Sequence, residues 1–248
     1  MIVAERKPLD QIEAMIEGFE KVLIAGCGTC VAVCMSGGEK QVELLAAELR
    51  MKAKLAGKNR RIDEITVTRQ CDKEYLDQLA RYVDQYDAVI STACGAGVQF
   101  LAERYDNKIV LPALNTRFIG VAEGPGQWSQ RCMACAECIL DQTGGICPMT
   151  LCAKNLLNGP CGGTNHGKCE VDGQKDCAWT LIYRRLEKLG RLDLMTKIQP
   201  PKNYQPMTKP GRFTHEAFEL AEGSEGKKRY ERPDKSRKRE TRVEEGVS

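Results

Sequence analysis

The sequence predicts an α/β fold: a small parallel sheet with flanking helices, followed by a loop-rich, cysteine-dense metal-binding unit. Three observations carry this. Between Lys21 and Leu114, short runs rich in β-branched residues alternate with amphipathic segments, the pattern of βαβ units on a parallel sheet. Cys27, Cys71 and Cys94 each fall at or just past the end of a different one of those runs. Eight further cysteines crowd between Cys132 and Cys177, among glycines and few apolar residues.

Taken in order, Pro8 to Glu20 places Ile12, Met15, Ile16 and Phe19 at helical spacing. The first parallel strand, Val22 to Ala25, runs into a glycine turn and ends at Cys27. A long helix starts near Gly37 and carries Val42, Leu44, Leu45, Ala47, Leu49 and Leu55. The second strand is Ile62 to Thr68, with Cys71 close behind. KEYLDQLARYVDQY reads as one helix, with Leu76, Leu79, Tyr82 and Val83 on one side. DAVIST is the third strand, GVQFLAERY the next helix and KIVLPAL the fourth strand. From about Thr116 the sequence is glycine-rich and aperiodic, which predicts loop up to the cysteine-dense unit. Trp179 to Leu189 reads as a closing amphipathic helix, and the prolines from Pro200 onward predict an extended linker. The basic end after Gly226 has the composition of a disordered tail, solvated rather than bound. The expected divisions are an α/β domain at 1–125, a cysteine-rich unit at 126–200 and a linker with tail at 201–248.

Composition narrows the function. A net charge of +3 on 248 residues gives no argument for nucleic acid. No apolar run approaches the roughly 18 residues of a membrane span, and the charged start lacks the apolar core of a signal peptide. A cytoplasmic location is therefore expected. Thirteen cysteines in a reducing compartment point to metal or redox chemistry rather than disulfides. With only His166 and His215 available, any metal site is dominated by thiolate, which favours iron–sulfur clusters or zinc.

Because parallel strands share one carboxyl edge, Cys27, Cys71 and Cys94 are expected to converge there. Cys30 and Cys34 join them, since a helix beginning near Thr29 puts both on one face. Those five thiols suit a 4Fe-4S cluster; a zinc site, or buried cysteines acting as small hydrophobes, are the alternatives. Their spacing, x2 then x3, is the reverse of the radical S-adenosylmethionine pattern. Cys132, Cys135 and Cys138 form C-x2-C-x2-C, followed at a distance by Cys147-Pro148, a pattern akin to bacterial ferredoxins. The gap before Cys147 is longer than in that run, so which cysteine closes the quartet stays open. Cys152, Cys161, Cys169 and Cys177 leave enough thiols for a further cluster or a zinc, with His166 as a lesser candidate ligand. Gly95-Ala96-Gly97 lacks the rest of a nucleotide-binding pattern. Asn115 and Arg117 read as loop capping and solvation. No catalytic acid–base or nucleophile arrangement stands out.

Together the motifs GCGTCVAVCMSGGE, RQCDKE, ACGAGVQ, LPALNTRFIG, RCMACAECIL, GGICPMTLCAKNLLNGPCGG, GKCEV and DCAW resemble the methylenetetrahydrofolate reductase C-terminal family. The resemblance spans roughly residues 1 to 200. The family is typified by the small iron–sulfur subunit of two-subunit reductases in acetogenic bacteria. It implies one-carbon metabolism of the Wood–Ljungdahl type, and a flavin-containing large subunit that reduces methylene- to methyl-tetrahydrofolate. It also implies an upstream electron donor protein and two or three 4Fe-4S sites, with zinc an option at one. In that picture Cys27, Cys30, Cys34, Cys71 and Cys94 supply one site, and the cysteines from Cys132 to Cys177 the rest. An alternative is a zinc-stabilised subunit that anchors the reductase to another redox complex.

Overall fold

The computed structural model describes residues 1–207 and 209–211. Met1–Thr208 forms one compact unit. Its first part follows the predicted alternation: β2 (Lys21–Cys27), α2 (Cys30–Val33), α3 (Glu39–Leu55), β3 (Arg61–Val67), α4 (Lys73–Leu76), α5 (Ala80–Val83), β4 (Ala88–Ser91), α6 (Gly95–Arg104) and β5 (Ile109–Pro112). Preceding them are β1 (Ile2–Arg6) and α1 (Leu9–Met15). The four parallel strands lie in the order β3-β2-β4-β5. The chain order reverses between β2 and β4, which makes their carboxyl ends the switch point where open α/β sheets bind ligands.

β2 is central, and every residue from Val22 to Cys27 is buried, as a strand covered on both faces requires. Its alternation divides the core. Val22 and Ile24 pack with Ile12, Ile16 and the α3 stripe Val42, Leu45 and Leu49 on one face. Leu23 and Ala25 pack with Leu76, Leu79, Val83 and Leu101 on the other.

The helix expected from Lys73 to Tyr86 is interrupted. Asp77–Leu79 is a 3₁₀ turn between α4 and α5. The Tyr105 hydroxyl donates to the Leu76 carbonyl at 2.7 Å, the acceptor that an unbroken helix would offer to Ala80. Ala80 N–H turns instead to the Asp77 carbonyl.

The region after Thr116 departs further from expectation. Rather than a loop it forms a hairpin, β6 (Leu114–Gly124) and β7 (Gln127–Cys132), which with β1 builds an antiparallel sheet in the order β1-β6-β7. Pro125 and Gly126 make the connection, and Gly126 takes φ +71°, the left-handed conformation that a Pro-Gly turn needs at its second position. Gly120 is a close approach: a Cβ there would stand 2.2 Å from the Ser129 carbonyl oxygen.

Beyond the hairpin the backbone is mostly turns, with α7 (Pro148–Leu151) and α8 (Ala178–Lys188). α8 buries Trp179, Ile182 and Leu186 against Ile146, Leu156, Leu192 and Leu194. The segment expected as an extended linker is tied down as far as Asn203. Asn158 exchanges hydrogen bonds with Gln199 at 2.6 and 3.0 Å, and Asn203 N–H donates to Glu137 Oε2 at 2.7 Å. The predicted disordered tail lies outside the described residues. Among the described residues no helix is long and apolar enough to cross a membrane.

Candidate metal centres

All thirteen cysteines are free. Five belong to the parallel sheet and its edge. Cys27 ends β2 and is buried, Cys94 caps α6 just past β4, and Cys71 follows β3 by four residues. The strands that lead to these three run side by side, β2 between β3 and β4, and end at one shared edge. Burial pushes the Cys71 thiol above its ordinary range, and the negative charge of Cys94 and then Cys27 adds to the effect. The Thr29 hydroxyl stands 3.8 Å from Cys27 Sγ.

Cys30 and Cys34 are treated differently by the fold. The expected helix is a single turn, α2, which Cys30 opens and Cys34 ends. Cys34 is buried against β1: Ala4 N–H donates to its sulfur at 3.4 Å, and Ser36 Oγ lies 3.2 Å away. Cys30 remains partly exposed.

Hydrogen bonds fasten the edge from within. Gln70 is fully buried; its Nε2 donates to the carbonyls of Ala25 (2.8 Å) and Gly26 (3.0 Å), and its Oε1 accepts from Ser91 Oγ at 2.6 Å. Thr92 Oγ1 donates to the Gly37 carbonyl at 2.9 Å, the same oxygen that accepts from Cys27 N–H at 3.0 Å. Nothing in the local sequence around Gln70, Ser91 or Thr92 marks them for this role. Asn115 and Arg117 lie on β6, where Asn115 accepts from Lys7 Nζ at 2.6 Å and Arg117 faces Glu5 at 3.7 Å.

In the cysteine-dense part, β7 delivers Cys132 into the C-x2-C-x2-C turn. Ala134 and Ala136 adopt φ +55° and +63°, curling the backbone so that Ala134 N–H donates to Cys132 Sγ at 3.3 Å. Cys147 precedes α7, with Pro148 at its first turn. The remaining four thiols share one place. Cys152, Cys161, Cys169 and Cys177 line a single small cavity, with room for about 20 Å³, together with Lys154, Glu170 and Trp179. A small ladder, Asn165 with Lys168 and Lys168 with Asp176, positions two of them; Cys169 N–H donates to Lys175 O and Cys177 N–H to Gly167 O.

Gly163 N–H donates to Cys161 Sγ at 3.4 Å, and Glu170, paired with Lys154, accepts from that thiol at 3.5 Å. At Cys177 burial pushes the thiol up. Hydrogen bonds from the backbone and hydroxyl of Thr180, Trp179 N–H and the Thr164 hydroxyl outweigh it and bring the thiol below its ordinary value. His166 sits exposed in the turn at φ +48° and is absent from the cavity lining. A four-thiol lining is a donor set suited to one tetrahedral ion or one iron–sulfur cluster. As placed, no three His, Cys, Asp or Glu side chains among the described residues are gathered into a formed ion site.

Residues 111–205 match the family model described as methylene-tetrahydrofolate reductase C terminal. The reductase C-terminal match thus takes in the hairpin and all eight cysteines from Cys132 to Cys177, and begins after the thiol edge. It is shorter than the resemblance read from the sequence, which reached back to the first residues. No curated protein and no solved structure matches the chain.

Proposed function

We propose that this chain is an iron–sulfur electron-transfer subunit of a methylenetetrahydrofolate reductase. It receives electrons from an upstream donor protein and passes them to the flavin of a partner catalytic subunit, which reduces methylene- to methyl-tetrahydrofolate. The observation that carries the reading is the reductase C-terminal match over a segment holding eight free cysteines, four of them on one cavity. The scarcity of acid–base machinery fits a subunit that moves electrons rather than bonds. Free thiols in this number suit a reducing, cytoplasmic setting.

On this reading the thiols divide into three donor sets. Cys27, Cys30, Cys34, Cys71 and Cys94 would supply the first. Cys132, Cys135, Cys138 and Cys147 hold the second, and Cys152, Cys161, Cys169 and Cys177 the third. Bound 4Fe-4S clusters supply reversible one-electron transfer. The chain's own contribution is to orient the thiols. N–H donors at Ala134 and Gly163 point at Cys132 and Cys161 and fix where those sulfurs sit.

One observation favours zinc at the third set. Trp179, Ile182 and Leu186 are the fully packed core of this part, so a structural ion would replace the missing apolar support. Metal analysis of full-length chain purified without oxygen separates the readings. Two clusters give about 8 irons with matching acid-labile sulfide per chain, and a broad absorbance near about 400 nm that bleaches with dithionite. Zinc at the third set adds one zinc per chain to that result. Colourless, folded protein containing zinc alone would overturn electron transfer.

A further inference from the structure

We propose that Gln70 is the positioning residue of the thiol edge, one buried carboxamide that sets Cys27, Cys71 and Cys94 in register as a donor set. The inference rests on reading that edge as a metal site. Each of the three cysteines directly follows a residue of the Gln70 hydrogen-bond network. Gly26, whose carbonyl accepts from Gln70 Nε2 at 3.0 Å, precedes Cys27. Gln70 itself precedes Cys71. Ala93, whose N–H donates to Ser91 Oγ at 3.3 Å while that hydroxyl donates to Gln70 Oε1, precedes Cys94.

The chemistry requires an amide. Both Nε2 hydrogens have carbonyl acceptors, at Ala25 and Gly26, and Oε1 takes the Ser91 proton. Glutamate would set a carboxylate against two carbonyls, and an apolar side chain would leave those buried groups without partners. α6 packs closely over the base of the side chain: a Cβ on Gly97 would stand 3.0 Å from Gln70 Cβ and 2.7 Å from Ala93 Cβ. Strand ends that the sheet alone would leave to fray are tied to one another at the switch point. The thiols therefore gain a fixed mutual geometry from a side chain that needs no contact with the metal.

The test uses full-length chain reconstituted with iron and sulfide without oxygen, its bound metal followed by chelator competition and by electron paramagnetic resonance after dithionite. Gln70→Met keeps the side-chain length and removes the polar contacts. It is expected to weaken metal retention at one site by about 10- to 100-fold, as loss of ligand-orienting hydrogen bonds does elsewhere, and to remove that site's resonance signal. Ser91→Ala, which deletes one bond of the network, is expected to move the same signal to a smaller extent, and it carries the test if Gln70→Met does not fold. Leu101→Ala, a truncation on α6 outside the network, is the stability control and is expected to retain the signal. Cys71→Ser/Cys94→Ser defines the signal that belongs to the edge.

Wild-type metal content in that double variant would overturn the site reading, and the proposal with it. Loss of the edge signal in the double variant, but full retention in Gln70→Met or in Ser91→Ala, would overturn the positioning role alone. Equal loss in Leu101→Ala would do the same, since general destabilisation would then account for the effect.

Discussion

Replacing Gly37 with alanine should damage the chain well beyond an ordinary glycine substitution. A Cβ at this position would stand 1.9 Å from the Thr92 carbonyl oxygen and 3.0 Å from its carbon, with Val31 Cγ2 also at 3.0 Å. Two of the three obstacles are backbone, so no rotamer change relieves them. Overpacking of this kind costs about 1–3 kcal/mol. The shift needed to relieve it also strains two hydrogen bonds on the Gly37 carbonyl, from Cys27 N–H and Thr92 Oγ1, each worth about 1 kcal/mol. The combined loss is about 3–5 kcal/mol, a large share of the about 5–15 kcal/mol that stabilises a typical domain.

For a chain of this size each kcal/mol lowers the melting temperature by about 2–4 °C, so the expected drop is about 6–20 °C in differential scanning calorimetry of the full chain. Gly95→Ala is the matched control beside Cys94. Its Cβ would meet Thr116 Oγ1 at 3.7 Å, an ordinary contact, so little change in the melting temperature is expected. A Gly37→Ala protein that melts within about 2 °C of wild type, where about 6 °C is the least expected, would refute the close approach of Gly37 to Thr92, and with it the fastening of Cys27 to the neighbouring strand.

Two further outcomes are expected. Trp179→Phe removes the Nε1 donor to the Leu156 carbonyl, a 3.1 Å bond beside the four-thiol cavity; a loss of about 1–2 kcal/mol, read as a melting point about 2–8 °C lower, checks it. Asp63 is held below its ordinary carboxylate value by the Tyr86 hydroxyl and then by Arg61. Its stabilisation is present above the unfolded value and is lost as pH falls through the lowered folded one. Asp63→Asn should therefore be less stable than wild type at pH 6, by about 0.5 kcal/mol or less given its exposure, and the gap in urea midpoints should close below about pH 4.

The parts of the fold that could be read from sequence are those whose residues are buried on both sides. β2 and β4 are continuous apolar runs because helices cover both faces of the sheet. The hairpin was illegible for the opposite reason: of β6, Leu114 and Gly120 are buried and the rest is exposed or half-exposed, so no alternation marks it. The break between α4 and α5 depends on the Tyr105 hydroxyl, 29 residues from the carbonyl it takes, and a local pattern cannot carry that. The thiols declared themselves by type and spacing. Their grouping did not, because Cys161 and Cys177 reach the same cavity through a turn closed by Cys177 N–H on Gly167 O. Gln70 was missed because its burial is created by the pairing of β2 with β3 and by α6 above it.

The boundary of the family match is not a boundary of the fold. Residue 111 falls inside β5, which pairs with β4 in the parallel sheet. Ala113 accepts from Lys7 N–H and donates to the Ser91 carbonyl, so the chain enters the matched segment while held by both sheets. β6 then lies between β1 and β7, and Thr116 Oγ1 accepts from Gly95 N–H at 2.9 Å, one residue past Cys94. The same strand pairs through Ile119 with Cys132, the first thiol of the C-x2-C-x2-C turn. A continuous hydrogen-bonded path thus joins the thiol edge to the cysteine-dense part through a single hairpin. The segment that carries the reductase resemblance depends on residues before it for its anchoring. The hairpin thus ties the thiol edge to the strand that delivers Cys132, where the sequence suggested only a loop.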